Sequence, residues 1–438
     1  MPKAIISNKI YLEKPSEVQE KHIIKSLTHQ IMVQGFERTK SGKLNPKRKV
    51  EYIRNYGLLP KGIISIPVGR MDLVPEEYQI IDKRVTNHVP FPTPKIPLRE
   101  LQQEIYDKVD DNCFINAKVG FGKTFTALHI ASKLGMKTLV IVHSTSLRDQ
   151  WVEEAEILFG HPVGIIGGGK FDIEDHFIVV GNIQSLLKHA DILAKEFGTI
   201  ILDEAHHCPA STFTQFIDKM YARYRIGLSG TMQRKDGKHI LLTDFFSDTV
   251  YSPPVDNTRE PVVNILRPGV HLAPDKAWAN KINDLLYDEE YQRFIGKLAE
   301  TQINKGHSVL VIASRLEFLQ QVKEYLGETC VLVTGATSTE ERKSIAEQID
   351  SGEKGCIAGS RQIFSEGISI NRLSAVILAE PMRFEGTLEQ IIGRIMRNHD
   401  AKGVPEVFDI NFSDHASRAQ NEARLAFYLG KGWRINRY

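Results

Sequence analysis

Three short stretches carry residue types that act on phosphate. The first, "AKVGFGKT" at 117–124, follows the apolar run Cys113–Ile115 and precedes a stretch of helical period, "TFTALHIASKLG". Gly120 and Gly122 allow successive backbone N–H groups to converge on phosphate oxygens, and the start of the helix adds positive potential. Lys118, Val119 and Phe121 complete the loop; Lys123 is placed to reach the outer phosphates, and the Thr124 hydroxyl suits Mg²⁺. The second stretch, "TIILDEAHH", sets Asp203 and Glu204 at the end of an apolar run. Asp203 is the expected metal carboxylate, and Glu204 the group that orients and deprotonates an attacking water. His206, His207 and Cys208 follow directly, but consecutive side chains rarely converge on one ion, so no metal site is read there. The third stretch, "QIIGRIMR", holds Gln390, Arg394 and Arg397. The two arginines stand three apart on an expected helix and share a face. They either form a solvated stripe or supply positive charge to a phosphoryl group in transfer.

The surrounding pattern dictates what must position these groups. From residue 113, continuous apolar runs ("CFINA", "TLVIV", "FIVVG", "TIILDEA", "RIGLSG") alternate with helical-period segments. Runs of that kind are strands buried on both faces of a parallel sheet. A second series ("SVLVIA", "CVLVTG", "CIAGS", "AVILAE", "VPEVFDI") repeats the alternation without a glycine loop. The expected fold is α/β: two tandem parallel-sheet domains behind a small basic α+β domain. The proline-rich "VPFPTPKIPL" marks a linker, and the divisions expected are 1–90, 91–258 and 259–438. "IIGGGK" reads as a loop between two strands of the first sheet.

Charge and composition narrow the partner. The net charge is only +2, but residues 1–90 hold 11 Lys and 5 Arg against 9 acidic residues, a local +7. "RTKSGKLNPKRK", Arg38 to Lys49, has six basic residues and no acidic one, with Lys47, Arg48 and Lys49 together at its end. It is either a solvated basic loop or a contact for a polyanion. At the C-terminus, "YLGKGWRINRY" interleaves Tyr428, Trp433 and Tyr438 with Lys431, Arg434 and Arg437. That mixture suits base stacking with phosphate contact, or a terminal element packed on the second domain. No secretory h-region or membrane-length apolar run is found, and the four cysteines show no paired spacing, so a reducing cytoplasm is expected.

Taken in order, these segments resemble a superfamily-two helicase across roughly residues 95–410. "PLRELQ" resembles the stretch before the phosphate loop, "AKVGFGKT" motif I, "VHSTSLRDQW" motif Ia and "GNIQSL" motif Ib. "DEAH" resembles motif II, "LSGT" motif III, "VIASRLEFLQQV" motif IV, "GSRQIFSEGISI" motif V and "QIIGRIMR" motif VI. "RIGLSGTMQRKDG" is similar to phage branch-migrating helicases of the UvsW type and their XPB-like and RecG-like relatives. Two departures stand out: Ser369 where motif V usually carries an aspartate, and Gly230 where motif III more often has alanine.

The resemblance implies ATP and Mg²⁺ as cofactors, and RecA-like folds for both large domains. It implies Gln102 at adenine, Gly367 at the nucleotide, and Gln390 with the two arginines at the γ-phosphate. His206, Ser229 and Thr231 would couple hydrolysis to movement. Ser144, Gln184, Ser314 and Ser360 would touch the backbone of a strand without reading its sequence. The function implied is ATP-dependent unwinding and branch migration of forked or junction DNA in phage replication, recombination or repair. The enzyme would be monomeric or loosely associated and would have no membrane partner. An RNA helicase, a restriction-type motor subunit and a non-enzymatic DNA-binding protein are the alternatives.

Overall fold

The computed structural model describes the chain except residues 39–43, 118–119, 205–209, 231–238, 255–258, 271, 273–275, 361–369, 382–385, 398, 400 and 413. Two compact units result, Met1–Val255 and Asp256–Tyr438.

The first unit opens with strands β1 (Lys3–Ile6) and β2 (Ile10–Glu13) and the helix Glu17–Ser26. That helix starts at a capping box in which Ser16 and Gln19 satisfy each other's backbone N–H. A long antiparallel ribbon follows, β3 (Thr28–Arg38) and β4 (Leu44–Arg54), paired among the described residues only with each other. Then come β5 (Gly57–Leu59), β6 (Ile63–Ile66) and β7 (Gln79–Asp82), giving a five-stranded sheet in the order β5-β6-β2-β1-β7. Its apolar face (Ala4, Ile6, Ile10, Leu12, Ile64, Ile66) buries Ile23 and Leu27.

The glycine-loop sheet follows in the same unit: β8 (Cys113–Asn116), β9 (Thr138–Val142), β10 (Gly164–Gly167), β11 (Lys170–Asp172), β12 (Ile178–Asn182), β13 (Thr199–Leu202), β14 (Tyr224–Ser229) and β15 (Val250–Tyr251). The order is β11-β10-β12-β9-β13-β14-β8-β15, and every pair except β10–β11 is parallel. All five residues of β9 are buried, as a strand covered on both faces requires. The tri-glycine stretch is the turn between β10 and β11, as expected. The proline-rich segment behaves differently from a free linker. Phe91 packs edge-on against Phe159 and Phe177, and the Lys95 N–H donates to the Leu158 carbonyl, so it is a strap held on the core of this unit.

The second unit contains β16 (Val262–Leu266), β17 (Ser308–Ile312), β18 (Cys330–Val333), β19 (Cys356–Gly359), β20 (Leu373–Leu378), β21 (Glu406–Ile410) and β22 (Arg434–Arg437). They form one parallel sheet in the order β18-β19-β17-β20-β21-β16-β22. The five runs expected as strands are all present; β16 and β22 extend them. In-register pairing sets Cys330 beside Cys356, a proximity their sequence spacing conceals. No described helix is long and apolar enough to cross a membrane.

Two of the three C-terminal aromatics, Tyr428 and Trp433, resolve into core, while Arg434, Arg437 and Tyr438 stay exposed. The helix His415–Gly430 buries Tyr428, whose hydroxyl donates to Asp409 Oδ2 at 3.0 Å. Trp433 stacks on Tyr428 at 6.1 Å between ring centroids and is 8% exposed, while β22 closes the sheet against β16. Arg424 lies beneath, pairing with Asp409 at 2.8 Å. Trp433→Ala should therefore cost about 3–5 kcal/mol in chemical denaturation. It should leave nucleic-acid affinity per folded molecule unchanged; weakened binding at full stability would return this tryptophan to the surface.

Candidate active site

The helix Lys123–Leu134 begins at Gly122, whose φ of 84° lies in the left-handed region, and Gly120 (φ 92°) shares it. A side chain at either position would be strained. Gln102, buried in the helix Glu100–Lys108, fixes the loop from behind. Its Nε2 donates to the Phe121 carbonyl at 2.8 Å, and its Oε1 accepts from the Arg99 N–H at 2.9 Å. The Arg99 guanidinium also donates to the Phe121 carbonyl. Gln102 thus braces the phosphate loop, a role that its expected place at adenine did not include.

Three strand ends meet beside this loop. β14 pairs with β8 on one side and β13 on the other, so the carboxyl ends of all three lie on one sheet edge. The Ala117 N–H donates to the carbonyl of Ser229, the last residue of β14, at 3.0 Å. Lys123 Nζ donates to the Ala117 carbonyl at 2.9 Å and stands 3.8 Å from Glu204 Oε1. Thr124, half-buried, sits in the first turn of the helix.

Asp203 follows β13 directly and is 6% exposed. Its Oδ2 accepts from the Trp151 indole N–H at 2.7 Å and its Oδ1 from the Glu204 N–H at 2.9 Å. Burial, with the Glu204 charge next, pushes the Asp203 carboxyl up to about 6, against the opposing pull of Trp151 and Lys123. Glu204 holds φ at 46°, a backbone state that costs a non-glycine residue on the order of 1–3 kcal/mol and tends to persist at functional sites. Two adjacent carboxylates and a first-turn hydroxyl form a hard-oxygen donor set, the chemistry that Mg²⁺ prefers.

Further along the same edge, Ser144 caps the helix Thr145–Phe159 by accepting from the Leu147 N–H at 3.4 Å. Gln184 is exposed on the helix Ile183–Lys188. The tri-glycine turn lies against Asn182, Ser185 and Arg148: a Cβ on Gly167 would come within 2.4 Å of Asn182 Oδ1 and 3.1 Å of both Arg148 Nη1 and Ser185 Oγ. Arg148 is 9% exposed and pairs with Asp149, yet its Nη1, like Asn182 Oδ1, is buried without a partner among the described residues. Neither Arg148 nor the close approach at the glycines is legible in the sequence, where the triplet reads as a turn. The one signal was the glycine triplet, which a plain two-residue hairpin does not need.

In the second unit, Ser314 follows β17 and donates its hydroxyl to Glu380 Oε2 at 2.6 Å, and Ser360 follows β19. The helix Gly386–Met396 carries Arg394; Arg397 falls one residue past its end and donates to Asn371 Oδ1 at 3.4 Å. Lys118, Val119, His206, Thr231 and Gly367 lie outside the described residues, as do the side chains of Gln390, Lys47, Arg48 and Lys49.

The raised Asp203 pKa has a stability consequence. The folded chain keeps this proton longer than the unfolded chain, so the contribution is fully present below about pH 4 and is lost as pH rises through about 6. In metal-free, nucleotide-free buffer, the melting temperature of wild type should fall relative to that of Asp203→Asn across this window. The loss should be on the order of 2 kcal/mol; parallel melting curves from pH 4 to 7 would exclude the strained carboxylate.

With this geometry in hand, comparison with known proteins is informative. The family model for the type III restriction enzyme res subunit matches residues 95–234, and that for the helicase conserved C-terminal domain matches residues 290–399. The chain is 41% identical over 441 residues to the probable helicase D10 of Escherichia phage T5, covering 99% of this chain and 95% of that protein. It is 24% identical over 300 residues to the ATP-dependent DNA helicase uvsW of Enterobacteria phage T4, covering 63% of this chain and 59% of that protein. Among solved structures, S. cerevisiae Dbp5 bound to RNA and ADP BeF3 aligns with a TM-score of 0.56 at 12% identity, over 78% of this chain and 90% of that one, a likeness of fold. The near full-length identity to D10, together with a matched family model in each unit, makes this chain a superfamily-two helicase with RecA-like sheets.

Proposed function

We propose that the protein is an ATP-dependent DNA helicase and translocase that remodels forked and junction DNA without sequence preference. The observation that carries its ATP chemistry is the convergence of Lys123, Asp203 and Glu204, with Lys123 Nζ 3.8 Å from Glu204 Oε1. Lys123 binds the β- and γ-phosphates over the amides of Gly120 and Gly122. Thr124 and Asp203 would hold Mg²⁺, which when bound neutralises charge on the phosphates. Glu204 orients the attacking water and takes its proton, while Trp151 and the Glu204 N–H keep the Asp203 carboxylate from turning away. Gln390, Arg394 and Arg397 act on the γ-phosphate. The direct bond from Ala117 to Ser229 suits Ser229 and Thr231 to reporting the state of the loop.

Ser144, Gln184, Ser314 and Ser360 contact the strand, and Arg148 with the glycine turn joins them. Backbone amides and small hydroxyls hold phosphates in register, and a close-approach glycine lets the strand lie on the main chain. DNA as the substrate is supported by the T4 relative, an ATP-dependent DNA helicase, and by the basic residues 1–90. The division 1–90, 91–258 and 259–438 then separates a duplex-gripping module from the two motor sheets, acting in the host cytoplasm.

Lys123→Ala and Glu204→Gln should each lower ATP turnover by about a hundredfold or more while DNA still binds, as read by phosphate release and a binding titration. Turnover near wild type in either variant would refute the site. The substrate is tested by offering labelled forks, four-way junctions, linear partial duplexes and RNA duplexes side by side with ATP. Branched DNA should be processed fastest; a preference for RNA, or for linear over branched DNA, would overturn the branched-DNA reading.

A further inference from the structure

The ribbon of β3 and β4 raises a mechanical problem. Each strand has 11 residues, about 35 Å of extended chain, and among the described residues the pair belongs to none of the three larger sheets. An isolated two-stranded hairpin is marginal in water. Its sequence, residues 28–54, carries seven basic and two acidic residues, a repulsive excess that makes it less stable still without a polyanion. Something at its root must hold it.

That root is a single buried carboxylate from the motor sheet's side. Asp244, 1% exposed, lies in the helix His239–Phe245. Its Oδ2 pairs with His29 Nε2 at 2.6 Å and accepts from Asn55 Nδ2 at 2.8 Å. His29 is the second residue of β3, and Asn55 directly follows β4, so one oxygen ties both feet of the ribbon. Its Oδ1 accepts from Arg70 Nη1 at 3.1 Å, and Arg70 is itself forked onto Asp72. The Gly69 N–H donates to the Asp244 carbonyl at 2.9 Å; a Cβ on Gly69 would come within 2.6 Å of the carbonyl oxygens of Thr243 and Asp244, so only glycine permits the approach. Ile53 packs into the core that holds Leu241, Leu242, Phe245 and Phe246.

The same helix is bonded to the nucleotide edge. Arg225 of β14 is fully buried, and its Nη1 donates to the Phe245 carbonyl at 3.1 Å. β14 ends at Ser229, whose carbonyl receives the Ala117 N–H of the phosphate loop. We propose that Asp244 is a positioning residue that makes the ribbon a rigid extension of the nucleotide-binding sheet, so that the ribbon bears on the DNA duplex while the motor advances. This rests on the DNA-motor reading above. Residues 1–90 are then not a grip hung on a linker: the ribbon is driven through Asp244.

The test uses the full-length chain with Asp244→Asn, which keeps the shape and one acceptor but removes the charge that both feet share. On forked DNA, phosphate release should stay within about twofold of wild type, while the ATP consumed per base pair separated rises about tenfold or more. Hydrogen exchange should show lost protection at 28–38 and 44–54 with β9 and β13 unchanged. His29→Gln and Asn55→Ala, each removing one tie, should fall between wild type and Asp244→Asn on both measures. An unchanged ratio of ATP to base pairs, or equal losses of hydrolysis and separation with protection falling throughout the unit, overturns the proposal. A wild-type chain that hydrolyses ATP yet separates no DNA refutes the DNA reading instead, and the exchange pattern then decides the anchor by itself.

Discussion

The in-register pairing of β8, β14 and β13 is the constraint on which the nucleotide chemistry depends. Asn116 faces Ser229 and Leu202 faces Gly227, so the loop after β8, the carboxylates after β13 and the end of β14 all emerge at one edge. A slip of one residue would move a strand end by about 3.3 Å and turn its side chains to the opposite face. Lys123 would then lose its place beside Glu204, and Ala117 would lose the Ser229 carbonyl. The slip is disfavoured because the buried side chains of these strands, Arg225 with its bond to the Phe245 carbonyl among them, would meet the wrong neighbours.

Around that frame the site is held by strained and polar pieces that an inert core would not keep. Asp203 is ionisable, buried and beside a second carboxylate, and Glu204 sits at a positive φ. Trp151, buried in the core, offers Asp203 its indole N–H as a fixed donor. Gln102 and Arg99 brace the loop from outside the sheet through the Phe121 carbonyl. Trp151, Gln102 and Arg99 thereby hold a local geometry that burial and backbone strain oppose.

Residues 1–90 are tied to the flank of the same sheet by polar contacts, buried at Asp244 and partly exposed at Asp218. Asp244 serves the ribbon and Arg70, while Asp218 receives Asn8 through its carbonyl and Lys9 through its carboxylate. Removing one partner from a buried charged node commonly costs several kcal/mol. The feet of the ribbon are therefore anchored within the first unit. The second unit follows another logic at its terminus, where Arg424, Asp409 and Tyr428 build a buried polar cluster under Trp433 and the final strand seals it.

The sequence alone determined the two parallel sheets, because strands covered on both faces must be continuously apolar and such runs are plain to read. It also pointed to the glycine loop and the carboxylate pair, which the structure brings to one sheet edge. Local signals could not reach further. Gln102 was legible as a site residue but not as a brace on Phe121, and Trp433 was ambiguous between a stacking platform and core. Arg148 went unseen because its neighbours at 167, 182 and 185 are distant in the chain. Tertiary structure alone decided that Asp244, an ordinary acid in a short helix, holds both feet of a basic ribbon. A side chain's chemistry is written in its type, but the partners of Asp244 are set by packing against residues 189 and 215 positions away, and no periodicity in the chain encodes that meeting.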